Sequence, residues 1–184
     1  MKTAVSLLLL ALSCFAAPAF HLRDTTGAVH TEAEWQGRKA IVLFFTTTDC
    51  PVANSYVPEM NRIREAYAAQ GVSVFAVQAE TTVDDGAVAK YAQEFRYSFP
   101  LLLDPKQTLV KLVNATITPQ VAVLSPSGKL LYLGRIDNRV EDFGKTRYQA
   151  THADLREALD AVLAGKPVPN PTTKSIGCAI NRVP

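Results

Sequence analysis

The chain has 184 residues, 48% of them hydrophobic, and a formal net charge of +2. That is the length of one domain, with enough apolar matter for a real core. The nearly balanced charge, with no run of Lys or Arg, argues against nucleic acid or an acidic surface as partner. Residues 1–19 differ in kind. Lys2 is a minimal basic start, 5–12 are apolar, and Ala16, Ala17 and Ala19 supply small residues for cleavage. This reads as a signal peptide cleaved after Ala19 and too short to span a bilayer. Leu12-Ser13-Cys14 offers a second reading, a lipoprotein signal that anchors the chain through Cys14, although Ala11 makes the motif imperfect. Export leaves Cys50 and Cys178, which can pair in an oxidising compartment.

Alternating residues from Phe20 to Asp24, followed by Gly27, predict a short strand and a hairpin return. Thr31-Glu32-Ala33-Glu34 starts a helix with Trp35 turned to the core and Gly37 as its stop. The apolar, β-branched run Ala40–Thr46 is the signature of a central strand covered on both faces. Val57, Met60, Ile63 and Tyr67 recur at helical spacing up to Gly71. Residues 72–77 form a second buried strand, and Asp84 opens a helix reaching about Phe95. A short strand over 99–103, a short helix over 107–113, and strands over 121–125 and 130–134 around a Pro-Ser-Gly-Lys turn follow. Thr151-His152-Ala153-Asp154 caps a last helix that runs to about Ala164. Residues 166–184 lack periodicity and read as an irregular tail packed on the body. The alternation of strands and helices implies an α/β fold with a mixed central sheet flanked by helices. The organisation is a 1–19 signal peptide, a 20–165 domain and a 166–184 tail.

One cysteine carries the chemistry. Cys50 lies where an apolar strand passes through Thr46-Thr47-Thr48-Asp49 into a helix opened by Pro51. A thiol there faces unpaired backbone N–H groups and the positive end of the helix dipole, and both favour thiolate. Pro51 suits a first helical position because its fixed φ fits and its missing N–H costs nothing there. Asp49 opposes the dipole by raising the thiol pKa. Asn54 is placed to hydrogen-bond near the site. Glu59, farther along the helix, reads mainly as a solvated carboxylate with some reach toward Cys50. His21, His30 and His152 show no ligand spacing, and no zinc, haem or nucleotide motif is present, so no cofactor is expected.

Thr48-Asp49-Cys50-Pro51-Val52, Thr118-Pro119-Gln120, Tyr132-Leu133-Gly134-Arg135-Ile136-Asp137 and Ile176-Gly177-Cys178-Ala179-Ile180 occur in this order. Together they resemble the thioredoxin superfamily, and within it the redoxin group of peroxiredoxin-like (AhpC/TSA-related) and thiol-disulfide oxidoreductase-like proteins. The resemblance covers Phe20 to about Arg182 and implies a thioredoxin-like fold. It also implies a cis Pro119, whose preceding residue Thr118 docks an extended substrate strand. The chain departs from the family patterns at two places. Ala53 stands where a Cys-x-x-Cys site has its second cysteine, so no local disulfide forms. Thr47 matches the peroxiredoxin threonine, but Leu43 replaces the proline of that pattern and no arginine lies near Thr118-Pro119. Arg135 is the candidate substitute. Cys178 is the candidate resolving thiol, with Gly177 supplying backbone latitude for a tail that folds back.

The resulting expectation is an exported, periplasmic or otherwise extracytoplasmic, antioxidant or oxidoreductase. Cys50 attacks a protein disulfide or a peroxide, and an external thiol reductant resets the site. Membrane contact enters only through lipidated Cys14. The rival is a non-catalytic binding module for a partner protein or for Cu(I), held by the two soft thiol ligands.

Overall fold

The computed structural model describes residues 18–183. Residues 1–17, with Cys14 and most of the expected signal peptide, lie outside them.

An N-terminal hairpin pairs β1 (His21–Arg23) with β2 (Val29–Thr31), and Gly27 turns it at φ 89°. Thr31 then caps a single 3-10 turn, Glu32–Trp35, through a capping box with Glu34. The expected helix is only this turn, and Trp35 is wholly buried.

The central strand β3 (Ala40–Thr46) is buried at every position. Parallel β4 (Val72–Gln78) flanks it on one side and antiparallel β7 (Gln120–Leu124) on the other. Outside these lie β5 (Leu101–Leu103), parallel to β4, and β8 (Leu130–Gly134), antiparallel to β7. The order β5-β4-β3-β7-β8 makes a mixed sheet.

Side chains alternate across β3, as a strand's period of two requires. Val42 and Phe44 face a core built with α1 (Pro51–Ala68), α2 (Asp85–Glu94) and α4 (Asp154–Leu163). Ile41, Leu43 and Phe45 face a second core with Trp35, α3 (Thr108–Val113) and Ile180 of the tail. Burying both faces is what a continuous apolar run demands.

Three further elements differ from the sequence reading. Residues 139–150 contain a small hairpin, β9 (Val140–Asp142) with β10 (Lys145–Thr146), turned at Gly144. The residue at the start of α4 is Ala153, without a side-chain cap. Thr151 instead serves Asn138, accepting from its Nδ2 at 2.7 Å while the Thr151 N–H donates to Asn138 Oδ1 at 2.8 Å. The tail is not wholly irregular. Its strand β11 (Cys178–Ala179) pairs antiparallel with β6 (Ile117–Thr118).

Among the described residues, no helix is long and apolar enough to cross a membrane.

Candidate functional site

Strand β3 ends at Thr46 in the middle of the sheet, and the chain reaches α1 through four residues. Cys50 occupies the N-cap of that helix with extended backbone (φ −86°, ψ 103°), and Pro51 takes the first helical position. Helical closure begins at once, with the Asn54 N–H donating to the Cys50 carbonyl at 3.0 Å. The Cys50 side chain is 0% exposed, and its thiol donates to the Thr118 carbonyl at 3.1 Å. The Thr118–Pro119 peptide bond is cis. The β3–α1 junction and the β6–β7 junction therefore meet at this thiol.

The third part of the site comes from the far end of the chain. In the β11–β6 pair, Cys178 lies directly opposite Thr118 and Ala179 opposite Ile117. The Ile180 N–H continues the ladder to the Thr116 carbonyl at 2.9 Å. Cys178 thus lies across the ladder from the residue whose carbonyl accepts from the Cys50 thiol, so the two cysteines are neighbours at this corner, and both are free thiols. Burial pushes the Cys178 thiol up to about 12, and the neighbouring Cys50 and the charge of Asp49 push the same way. Cys178 is thus held protonated at neutral pH. The repulsion expected of Asp49 at the site is felt at Cys178.

Gly177 has a different use from the latitude expected of it. A Cβ built there would stand 2.0 Å from the Thr118 oxygen and 2.8 Å from its carbonyl carbon. Only glycine lets the tail backbone come this close to β6. Gly134 plays a matching part upstream, where a Cβ would meet Thr173 Oγ1 at 2.1 Å.

The tail is secured on both sides of Cys178. Upstream, the Thr173 hydroxyl meets the Tyr132 hydroxyl at 2.6 Å and accepts from the Arg135 N–H at 3.0 Å. Downstream, Gln107 is fully buried in a left-handed conformation (φ 53°). Its amide donates to the Ala79 carbonyl at 2.9 Å and the Asn181 carbonyl at 2.7 Å, and accepts from the Val183 N–H at 3.0 Å. The Arg182 guanidinium donates to Asn114 Oδ1 and the Ala115 carbonyl, both at 2.8 Å.

The remaining candidates separate into those at the site and those away from it. Thr47 is buried, and its hydroxyl has no hydrogen-bond partner among the described residues; the same holds for Thr118. Asn54 braces the loop, donating to the Thr48 carbonyl at 3.3 Å and accepting from the Tyr91 hydroxyl at 2.9 Å. Tyr91 also lies within hydrogen-bond distance of Thr46 and Tyr97. Glu59 does not turn toward Cys50; it ties α1 to α4 through Arg156 at 2.8 Å and accepts from Arg62 at 2.7 Å. Arg135 is likewise committed elsewhere. Its guanidinium makes a bidentate pair with Asp154, at 2.8 and 3.1 Å. Such a pair fixes the plane of the guanidinium, so it is not free to serve an oxygen at Cys50.

Sequence reasoning missed Gln107, Thr46, Tyr91 and Tyr97. Their roles depend on contacts between distant segments, and Gln107 looked only like the start of a short helix. Among the described residues, no three His, Cys, Asp or Glu side chains cluster as a metal site.

Residues 15–133 match the AhpC/TSA family. Over 115 residues the chain is 29% identical to the thiol-disulfide oxidoreductase ResA of Geobacillus kaustophilus. That match covers 62% of this chain and 64% of ResA, just under two thirds of the relative. A crystal structure of a hypothetical protein from Sinorhizobium meliloti is similar at TM-score 0.79 and 31% identity, covering 91% of this chain and 93% of that one. The exposed lipoprotein thioredoxin of Streptococcus pneumoniae is 16% identical at TM-score 0.61, with 78% of this chain and 99% of that one covered. That likeness shows a thioredoxin-like fold. From the motif around Cys50, the mixed sheet and the family match, the chain belongs to the AhpC/TSA family.

Proposed function

We propose that this protein is an exported thiol-disulfide oxidoreductase whose working pair is Cys50 and Cys178. The observation that carries the reading is that both cysteines converge on Thr118, Cys50 through its thiol bond to the Thr118 carbonyl and Cys178 as its partner across the β11–β6 pair. Cys50 is the nucleophile, because it stands at the N-cap of α1 beside the cis Thr118–Pro119 bond, while burial holds Cys178 as a thiol. Its thiolate attacks one sulfur of a substrate disulfide, and the other sulfur leaves as a thiolate that takes up a proton. Once the mixed disulfide has formed, Cys50 can no longer carry a charge beside Cys178, which removes one of the influences that raise the Cys178 pKa. Cys178 then gives up its proton and attacks Cys50 Sγ. The substrate's second sulfur departs as a thiol, and Cys50 and Cys178 remain as a disulfide. An external dithiol returns the pair to the reduced state. The match to ResA supports this chemistry, and residues 1–19 support export, with Cys14 as the lipid attachment point if the leader is of lipoprotein type.

One observation favours a second oxidant. The unpartnered, buried Thr47 hydroxyl stands three residues before Cys50 in a chain of the AhpC/TSA family. With a peroxide, Cys50 takes one oxygen as sulfenic acid and releases an alcohol or water. Cys178 then forms the same disulfide and releases water.

The test is turnover of a small-molecule disulfide, and separately of hydrogen peroxide, with dithiothreitol as reductant. Cys50→Ser is expected to abolish both, and Cys178→Ser, treated with the disulfide in the absence of reductant, to stop at a Cys50 mixed disulfide that wild type resolves. A Cys50→Ser protein with the wild-type rate would overturn the proposal.

A further inference from the structure

Resting on the reading of Cys50 as the reacting thiol, the structure points to a gate over that thiol. We propose that residues 175–180 are an autoinhibitory strap, so that an external substrate reaches Cys50 only when this segment leaves β6. Attack on sulfur requires atomic contact, and the Cys50 side chain has no exposed surface. The backbone edge of β6, which an extended peptide partner would need, is already paired with the chain's own Cys178 and Ala179. The fit is close, since Gly177 leaves no room for a Cβ against the Thr118 carbonyl. Ser175 and Ile180, on either side of that contact, are both buried.

The strap is anchored on both sides. Upstream, Thr173 is bonded to both Tyr132 and Arg135, and the Leu133 N–H donates to the Pro171 carbonyl at 2.9 Å. Downstream, Gln107 holds Asn181 and Val183 through partly buried bonds, and the further ties are exposed or partly buried. Asn181 donates to Glu80 at 3.2 Å, and Arg182 donates to Asn114 and Ala115. Exposed polar contacts open at low cost, whereas buried ones open with the fold. Re-docking returns Cys178 to Cys50 and closes β6 against the departing substrate, so the gate is also the arm that delivers the resolving thiol.

The experiment measures the rate at which iodoacetamide alkylates Cys50 in the reduced, folded, full-length protein, read on the Cys50 peptide by mass spectrometry. Gly177→Val, which forces the strap off β6, is expected to raise the rate at least about tenfold. Arg182→Ala, which weakens only the downstream latch, should raise it by a smaller factor. A synthetic peptide spanning 174–183 with Ser in place of the cysteine should restore protection to Gly177→Val. Circular dichroism checks that the fold survives. If Gly177→Val does not fold, Arg182→Ala decides. Wild-type Cys50 reacting as fast as in the folded variants would overturn the proposal. Alkylation needs no turnover, so this result is separate from any failure of the disulfide-exchange reading.

Discussion

Replacing Gln107 with methionine keeps the volume of the side chain and removes its polarity. Three hydrogen bonds disappear, two donated to the Ala79 and Asn181 carbonyls and one accepted from the Val183 N–H. The Ala79 bond is buried, and loss of a partner there costs about 1–3 kcal/mol because water cannot substitute. The two tail bonds are partly buried and cost about 0.5–1 kcal/mol each, since water recovers some of their value. The sum is about 2–5 kcal/mol, or about 4–20 °C in melting temperature for a chain of this size. Urea denaturation followed by circular dichroism measures it. The left-handed backbone at residue 107 is common to both proteins and drops out of the difference. A loss below about 0.5 kcal/mol with an unchanged urea slope would show that this amide does not clamp the tail to the body.

Three further outcomes follow from the same contacts. His30 lies between Asp24, 3.1 Å from Nε2, and Glu34, 3.0 Å from Nδ1. Burial works to lower its pKa, but the hydrogen bonds and charges of the two carboxylates outweigh it and the net shift is upward from 6.5. Its stabilisation is therefore complete below 6.5 and fades as pH rises through the raised folded value. Burial works to raise the Asp24 pKa, and bonds from Thr26, His30 and Ala28 carry it below 3.8, so its contribution is present above 3.8 and fades as pH falls through the lowered value. Stability plotted against pH should thus decline on the neutral side, and His30→Gln should flatten that limb; an unchanged limb would count against the cluster. In Cys50→Ser, Cys178 loses the influence of the neighbouring Cys50, so the pH midpoint for its alkylation should fall relative to wild type, and a midpoint that rises would contradict the coupling. Arg135→Lys breaks the bidentate pair with Asp154 and should cost about 1–2 kcal/mol in urea denaturation. Formation of the Cys50–Cys178 disulfide should stay within about threefold of wild type, and a large loss of that disulfide would return Arg135 to the site.

Where the sequence was legible, the cause was local. The run Ala40–Thr46 can satisfy its apolar side chains only in a strand covered on both faces, and Cys50-Pro51 marks a helix start by the chemistry of the two residues. Asp84 was readable as a cap because its side chain reaches the N–H groups of Gly86 and Ala87, two and three residues on. The failures have longer range. Arg135 looked free because nothing near it in sequence claims it, yet Asp154 on another element does. Thr151 has the composition of a helix cap, but Asn138 draws it away. Gly177 looked like a source of freedom and is a close-approach residue, which only the position of Thr118 reveals. The 139–150 hairpin lacks apolar alternation, and Gly144 was its sole local mark. The tail's hold on Gln107 pairs residues more than seventy positions apart, and no periodicity encodes that.

The most direct measurement is equilibration of the wild-type protein in glutathione redox buffers, followed by acid quenching and peptide mapping. The account requires a single Cys50–Cys178 disulfide that forms as the buffer becomes oxidising and disappears reversibly as it becomes reducing. A Cys50–glutathione adduct that persists while Cys178 stays a free thiol would contradict it.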